Sequence, residues 1–253
     1  MIKTLIELAR AGSSTPRELF PDLPSYSRGL PMVTSKDCVM GCVKCESTCP
    51  TSAITFVSGN LEIDRGQCIA CGECVDSCPT GAIESDRSTR VAALTREDLI
   101  LRKPELALHK KEPLPGQFRN SLHVREVSTG DPASDLEVSA SDNPIFDGSR
   151  FGIHVVASPR FADALVITGP VGRAMQEPLL RCYEAMATPR LVVAVGAAAI
   201  SGAPYFGGYA GANGVSAVLP VDVFVPGNPP HPWYILHGLM LGMGHKALGM
   251  KRW

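Results

Sequence analysis

Net charge is almost absent from this 253-residue chain: 24 Lys and Arg stand against 25 Asp and Glu, a formal charge of -1. A nucleic acid or an acidic membrane surface therefore finds no basic field to recognise. Long apolar runs are missing too. The longest, Trp233 to Gly244, is interrupted by His237 and is shorter than the roughly 20 residues of a spanning helix, so the chain is expected to be soluble. Glu7 breaks the apolar stretch at the N-terminus, which excludes the hydrophobic region of an export signal. Cysteine is nearly absent from the long C-terminal part, where only Cys182 follows residue 78, so no disulfide framework crosses the chain.

What cysteine there is lies close together. Eight of the nine fall between Cys38 and Cys78, a density that reads as metal ligation in a reducing compartment. The second run, Cys68-Ile-Ala-Cys71-Gly-Glu-Cys74-Val-Asp-Ser-Cys78-Pro79, is a complete C-x2-C-x2-C-x3-C-P pattern. In such a run three closely spaced thiolates bind one 4Fe-4S cube, and the fourth, thrown outward by the proline, reaches another. The first run, Cys38, Cys42, Cys45 and Cys49-Pro50, carries one extra residue between its first two cysteines. Thr51-Ser-Ala-Ile54 follows the first run and Thr80-Gly-Ala-Ile83 the second, so the segment is an internal duplication.

The crossed rule assigns Cys38, Cys42, Cys45 and Cys78 to one cluster and Cys68, Cys71, Cys74 and Cys49 to the other. Zinc suits paired C-x2-C motifs better than a duplicated three-plus-one run. Small residues at Gly41, Ala70 and Gly72 leave backbone N–H groups free to point at sulfur. The pattern is that of a bacterial ferredoxin, an α+β domain expected over residues 31–86. Cys182, in Leu180-Arg-Cys182-Tyr-Glu184 on an amphipathic helix, is expected to be a buried structural thiol.

The length suits two domains. Residues 2–10 place Ile2, Leu5, Ile6 and Ala9 on one helical face, and a proline-bearing stretch follows to Pro31, so residues 1–30 read as a helix and docking arm. Residues 87–122, with a short helix over Thr95 to Leu101 and prolines at 104, 113 and 115, read as a linker. Beyond them, strands are expected at 152–156, 164–167, 191–195 and 221–225, and helices at 177–186 and 233–246. This alternation predicts a mostly parallel sheet with helices on its faces. Gly208, Gly211 and Gly214 lack the order of a nucleotide loop. His154, His231, His237 and His245 have no ligand spacing and read as surface or packing residues.

Five stretches carry a family resemblance: Asn143-Pro-Ile-Phe-Asp147, Arg150 to Arg160, Ala162 to Pro170, Arg173-Ala-Met175 and Pro220-Val-Asp-Val-Phe-Val-Pro-Gly227. They resemble the electron-transfer small subunit of membrane-bound group 4 nickel-iron hydrogenases, formate hydrogenlyase included, and the 20 kDa subunit of complex I. The cysteine-rich part, with Arg28-Gly-Leu-Pro31 ahead of it, resembles the ferredoxin-like subunit of the same complexes, so the chain reads as a fusion. The resemblance implies a flavodoxin-like α/β domain over residues 123–253.

The resemblance also implies a third cluster, which the family's small subunit holds through four cysteines. The matching positions here are Asp131, Ser134, Ala198 and Asn228. Alanine offers no ligand atom and asparagine only a neutral oxygen, so that cluster is expected to be absent, with Asp131 the one residue able to ligate. Also implied are a hydrogenase-like large subunit, a redox donor or acceptor protein, and membrane contact only through partner subunits at the cytoplasmic face of the inner membrane. Residues 2–10 and the Trp233 to Met243 face are the expected contact surfaces. Two readings stay open: an electron-transfer subunit that also acts as a scaffold, and a purely architectural one.

Overall fold

Apolar spacing at the start of the chain produces α1 (Ile2–Ala11), whose Ile2 and Ile6, one turn apart, are both exposed. The duplicated cysteine segment then folds as two matching halves. The first is β1 (Leu30–Val33), α2 (Lys44–Thr48) and β2 (Ile54–Val57); the second is β3 (Asn60–Asp64), α3 (Glu73–Asp76) and β4 (Ile83–Asp86). β2 pairs antiparallel with β3 and β1 with β4, so each half lends a strand to the other. The repeat reaches the backbone: Ser52 and Gly81, each after Cys-Pro-Thr, take φ of 53° and 66°. The carbonyls of the following alanines, Ala53 and Ala82, accept N–H bonds from Asp64 and Thr34 at 2.8 and 2.9 Å. β5 (Ile100–Arg102) extends this part by pairing with β3.

The C-terminal part holds β6 (Leu122–Ser128), α4 (Pro132–Ala140), β7 (Ile153–Val155), β8 (Ala164–Thr168), α5 (Arg173–Ala185), β9 (Leu191–Val195), α6 (Ala197–Ser201), β10 (Val223–Val225) and α7 (Pro232–Gly242). Its strands form one wholly parallel sheet in the order β10-β9-β8-β6-β7. Counted from β6, that is the 2-1-3-4-5 order of the flavodoxin-type doubly wound sheet. Every residue of β8 and β9 is buried because helices cover both faces. Val166 and Val193 share a core with Val138 of α4 and Leu236 of α7, while Leu165, Ile167 and Val192 pack with Leu179 of α5 and Ile200 of α6. Each such side chain contributes roughly 1.5–3 kcal/mol by leaving water.

The computed structural model describes residues 2–11, 19–57, 59–102 and 116–245. Part of the expected arm (12–18), part of the expected linker (103–115) and Lys246 lie outside them. Within the described residues, several expectations need correcting. The arm beyond residue 18 packs on its own chain: Phe20 and Leu23 are buried, and Phe20 meets Trp233 edge to face at 5.6 Å. Much of the linker is structural. Its expected helix is a single 3-10 turn, Glu97–Leu99, followed by β5, and Ala93 bridges antiparallel to Phe224. The linker's last residue, Leu122, opens β6, an unforeseen strand that lies between β8 and β7 in the sheet. α5 starts at Arg173, four residues before the expected position, and continues through Pro178. α7 stops at Gly242 because Gly244 (φ 81°) cannot continue it. Trp233 to Met243 cannot serve as a partner surface, since nearly all of it is buried in this chain's core. Cys182 is half-buried rather than buried.

Candidate metal centres

The paired halves of residues 30–86 leave two cavities. Cys68, Cys71 and Cys74 line one of them together with Cys49 from the first run. Cys38, Cys42 and Cys45 line the other together with Cys78 from the second run. Three thiols from one run and one from the other meet at each place because the strand exchange carries each Cys-Pro end across the unit. Two backbone N–H groups point at sulfur, Ala53 at Cys49 and Ala70 at Cys68, each at 3.3 Å. Thr51 and Thr80 hydroxyls lie 3.8 and 3.9 Å from Cys49 and Cys78, repeating one contact in both halves. Arg28, in the segment ahead of the first run, donates to the Cys71 carbonyl at 2.9 Å.

Electrostatics divides the thiols into the same sets. Burial pushes the Cys74 thiol up to about 12, reinforced by the charges of Cys68, Cys49 and Cys71. Burial likewise pushes Cys68 up to about 11, with Cys49 and Cys71 adding to it. Cys45 is raised mainly by burial and then, against backbone N–H bonds, by Cys38 and Cys78. Cys78 lies below the ordinary thiol range: burial raises it, but N–H groups of Ile83, Thr80 and Ala82 and the Thr80 hydroxyl outweigh that. Thiolates that repel one another in half-buried cavities require positive charge among them, and soft sulfur selects iron or zinc over hard cations. Among the described residues no three His, Cys, Asp or Glu side chains are close enough to hold one metal ion. Four cysteines at each cavity match the ligand set of an iron-sulfur cube.

The C-terminal end of the parallel sheet, where doubly wound folds gather their ligands, is built differently. The turns after β6, β9 and β10 bring Asp131, Ser134, Gly196 and Gly227 together. Ser134, fully buried at the start of α4, donates its hydroxyl to Asp131 Oδ2 at 2.6 Å, and Asp131 caps the helix by accepting from the Ser134 N–H. Gly196, at φ 93°, has no room for a side chain: a Cβ there would lie 2.8 Å from Ser134 Oγ and 3.6 Å from the Gly227 carbonyl. The Ala197 N–H bonds that carbonyl at 2.8 Å. Ala198 is buried on α6, and Asn228, next to Gly227, is half-buried. Hydrogen bonds and close backbone packing fill this end of the sheet.

Behind it lies a polar group that the sequence did not single out. Asp135 of α4 accepts from Ser128 at 2.6 Å and from Thr168, while burial and the Asp135 charge lift Glu126 on β6 to about 7. The four singled-out histidines scatter. His154 is exposed, His231 caps α7 by accepting from the Trp233 N–H, and His245 lies 2.9 Å from the Arg119 carbonyl. His237 is buried and accepts the Ala92 N–H at Nδ1 across 3.1 Å, and burial holds it down to about 4.

Residues 133–241 match the family described as NADH ubiquinone oxidoreductase, 20 Kd subunit, and residues 61–84 match the 4Fe-4S binding domain. The chain is 38% identical over 135 residues to formate hydrogenlyase subunit 7 of Escherichia coli, covering 53% of each protein. It is 45% identical over 104 residues to an NADH-quinone oxidoreductase subunit of Carboxydothermus hydrogenoformans, covering 41% of this chain and 63% of that one. A Pyrococcus furiosus protein named as a probable membrane-bound hydrogenase subunit is 40% identical over 130 residues, covering 51% of this chain and 77% of that one. The chain thus spans about half the length of the first relative and under two thirds of the second.

Proposed function

The chain belongs to the family of the 20 kDa subunit of NADH ubiquinone oxidoreductase and carries a 4Fe-4S binding domain ahead of it, and on that premise we propose that it is a two-cluster electron-transfer and scaffold subunit of a hydrogenase-like or complex I-like oxidoreductase. The observation that carries the reading is the crossed lining of the two cavities, three cysteines from one run and one from the other in each. Residues 31–86 are the ferredoxin-like domain. Cys38, Cys42, Cys45 and Cys78 hold one 4Fe-4S cluster, and Cys68, Cys71, Cys74 and Cys49 the other. When bound, such clusters supply one-electron transfer. The chain's own groups bury Cys68 and Cys74, and the Ala53 and Ala70 N–H groups aimed at sulfur favour the more reduced, more negative state.

Residues 123–253 serve as the scaffold, without a third cluster. Supporting this are the Ser134 to Asp131 bond, the tight seat of Gly196 and the lack of a soft ligand at Ala198 and Asn228. Partners are a hydrogenase-like large subunit and a redox donor or acceptor protein. Membrane contact comes through partner subunits at the cytoplasmic face of the inner membrane; no helix of the described residues is long and apolar enough to cross a membrane. The exposed face of α1, with Ile2 and Ile6, is the remaining candidate for a subunit contact. Iron analysis with EPR of the purified holoprotein tests the count: roughly eight irons and two interacting clusters are expected from two cubes, and roughly twelve irons would overturn it.

One observation favours an architectural role. The small core of the cysteine domain consists of Ile54, Leu61, Ile63 and Ile83 with the ligands Cys45 and Cys74, so a bound cluster would hold the domain folded whether or not it turned over. Clusters that neither accept an electron from a protein donor nor return it on a turnover timescale would decide for that role.

A further inference from the structure

Arg65 follows β3 and stands three residues before Cys68, yet its side chain turns into the protein and is only 9% exposed. Its Nε donates to the Pro31 carbonyl at 3.0 Å, and its Nη2 meets Asp86 Oδ2 of β4 at 2.7 Å. Pro31, together with Ser85 beside Asp86, lines the cavity of Cys68, Cys71, Cys74 and Cys49, so the guanidinium lies directly behind that cavity's wall. Its charge acts on the Cys68 sulfur, against the burial that dominates there. Tyr234 of α7 comes in from the other domain: it is buried, and the Asp86 and Arg65 charges both act on its hydroxyl. The backbone is fixed as well. The Arg65 N–H bonds the Leu99 carbonyl at 2.9 Å, and Ser201 of α6 donates to the Gly66 carbonyl at 3.0 Å.

A buried ion pair adds little net stability, because desolvation of the two charges offsets their attraction. What such a pair does supply is a fixed field, and its two partners do not cancel. Asp86 is the more exposed, at 20%, so water screens the carboxylate more than the guanidinium. The guanidinium also never loses its proton in a protein. Reducing a cube adds one electron and so one negative charge, which burial disfavours and a cation held behind the wall favours. Other cations near the cavities stand in water: Lys44 lines the Cys38 cavity and Arg28 the Cys68 cavity, and both are exposed. Resting on the two-cluster reading above, we propose that Arg65 sets the potential of the centre held by Cys68, Cys71, Cys74 and Cys49. It raises that potential, so the centre packed against the large core takes up its electron more readily than burial alone allows. Arg65 acts across the cavity wall and is no ligand; one electron arrives, and no bond or proton changes place.

The test is an EPR-monitored redox titration of full-length holoprotein carrying Arg65→Met, Asp86→Asn, both together, Arg65→Lys or Arg28→Gln. A Cys38→Ser variant assigns the two signals, since it alters the centre it helps to hold. Arg65→Met should make the core-facing centre about tenfold harder to reduce, a downward shift of about 59 mV for one electron. Asp86→Asn leaves the cation uncompensated and should shift the same centre upward by a comparable factor. The double variant should fall between the two, and Arg65→Lys should restore most of what Arg65→Met loses. Arg28→Gln should move this centre less than Arg65→Met, and the exposed centre should move less in every variant. Shifts of one sign in Arg65→Met and Asp86→Asn would reveal a general loosening of the domain and overturn the assignment. Unmoved potentials in folded variants with the parent's iron content would overturn it too. If Arg65→Met does not fold, the sign of the Asp86→Asn shift decides alone. A parent holoprotein without two reducible clusters would instead sink the two-cluster reading.

Discussion

Residues 30–86 and the C-terminal end of the parallel sheet face the same structural problem and solve it in opposite ways. Each brings groups together from separate segments, three thiols of one run with one of the other at each cavity and the turns after β6, β9 and β10 at the sheet end. In the cysteine domain the gathered groups are thiols whose ionisation is opposed by burial and then by one another, so they give up their protons only to a positively charged group bound among them. At the sheet end they are a carboxylate and a hydroxyl bonded at 2.6 Å, two glycines and an alanine, which satisfy one another and need nothing more. On the reading proposed above, the difference is that of a fold keeping the convergence of its loops without the cluster that used it. What is held in place is the backbone path, through bonds such as Ala197 N–H to Gly227 C=O.

Iron removal should break the comparison most sharply. Chelation under reducing conditions is expected to unfold the cysteine domain and lower the melting temperature by about 10 °C or more, because ligands form much of its small core. Amide exchange should stay slow in β8 and β9. Loss of protection throughout both regions would show that the sheet does not stand without the metal.

The converse experiment reloads the sheet end. If Asp131, Ser134, Ala198 and Asn228 do converge, replacing all four by cysteine and reconstituting should raise iron from about eight to about twelve per chain, the content of one further cube. An iron content still near eight in a folded variant would show that the backbone has closed beyond the reach of a cluster.

Two groups of the sheet region make its stability depend on pH. His237 titrates near 4 in the fold and at 6.5 when free, so the unfolded chain takes up the proton first as pH falls. Its contribution is present above pH 6.5 and is lost toward pH 4, on the order of 3 kcal/mol. Glu126 works the other way. Its raised value, about 7 against 4.5, means that stability declines as pH rises between those values. Urea titrations across pH should therefore show a steeper rise between pH 4.5 and 7 in Glu126→Gln than in the parent. His237→Phe should lose the acid limb; an unaltered acid limb would rule this assignment out. The smallest effect is expected from Ser134→Ala, about 1 to 2 kcal/mol for a half-buried carboxylate oxygen left without its donor, read from the same urea curves.

Much of this contrast was legible in the residues. The cysteine runs announced themselves because ligand spacing is local, and β8, β9 and β10 did so because strands buried on both faces are uninterrupted in apolar character. β6 escaped notice for the opposite reason. His123, Arg125 and Glu126 break its apolar pattern, and only the fold shows Leu122, Val124 and Val127 buried between them. α7 misled through its very hydrophobicity, which reads equally as an exposed docking face or as a core helix until Phe20 and the strands are seen against it. The hydrogen bond from Ser134 to Asp131 was legible only as two polar residues in place of two expected cysteines. Their mutual satisfaction depends on how Gly196 approaches from a strand some sixty positions away.

The bridge between Ala93 and Phe224 has a consequence for solubility. β10 is an edge strand of the five-stranded sheet, and a strand left open at such an edge is a template for pairing with other chains. Here Ala93 exchanges two backbone hydrogen bonds with Phe224, 2.8 and 2.9 Å, so the segment trailing the cysteine domain covers that edge from within the same polypeptide. Joining the two domains in one chain supplies the sheet with a permanent guard against self-assembly, one that two separate polypeptides would have to find by association.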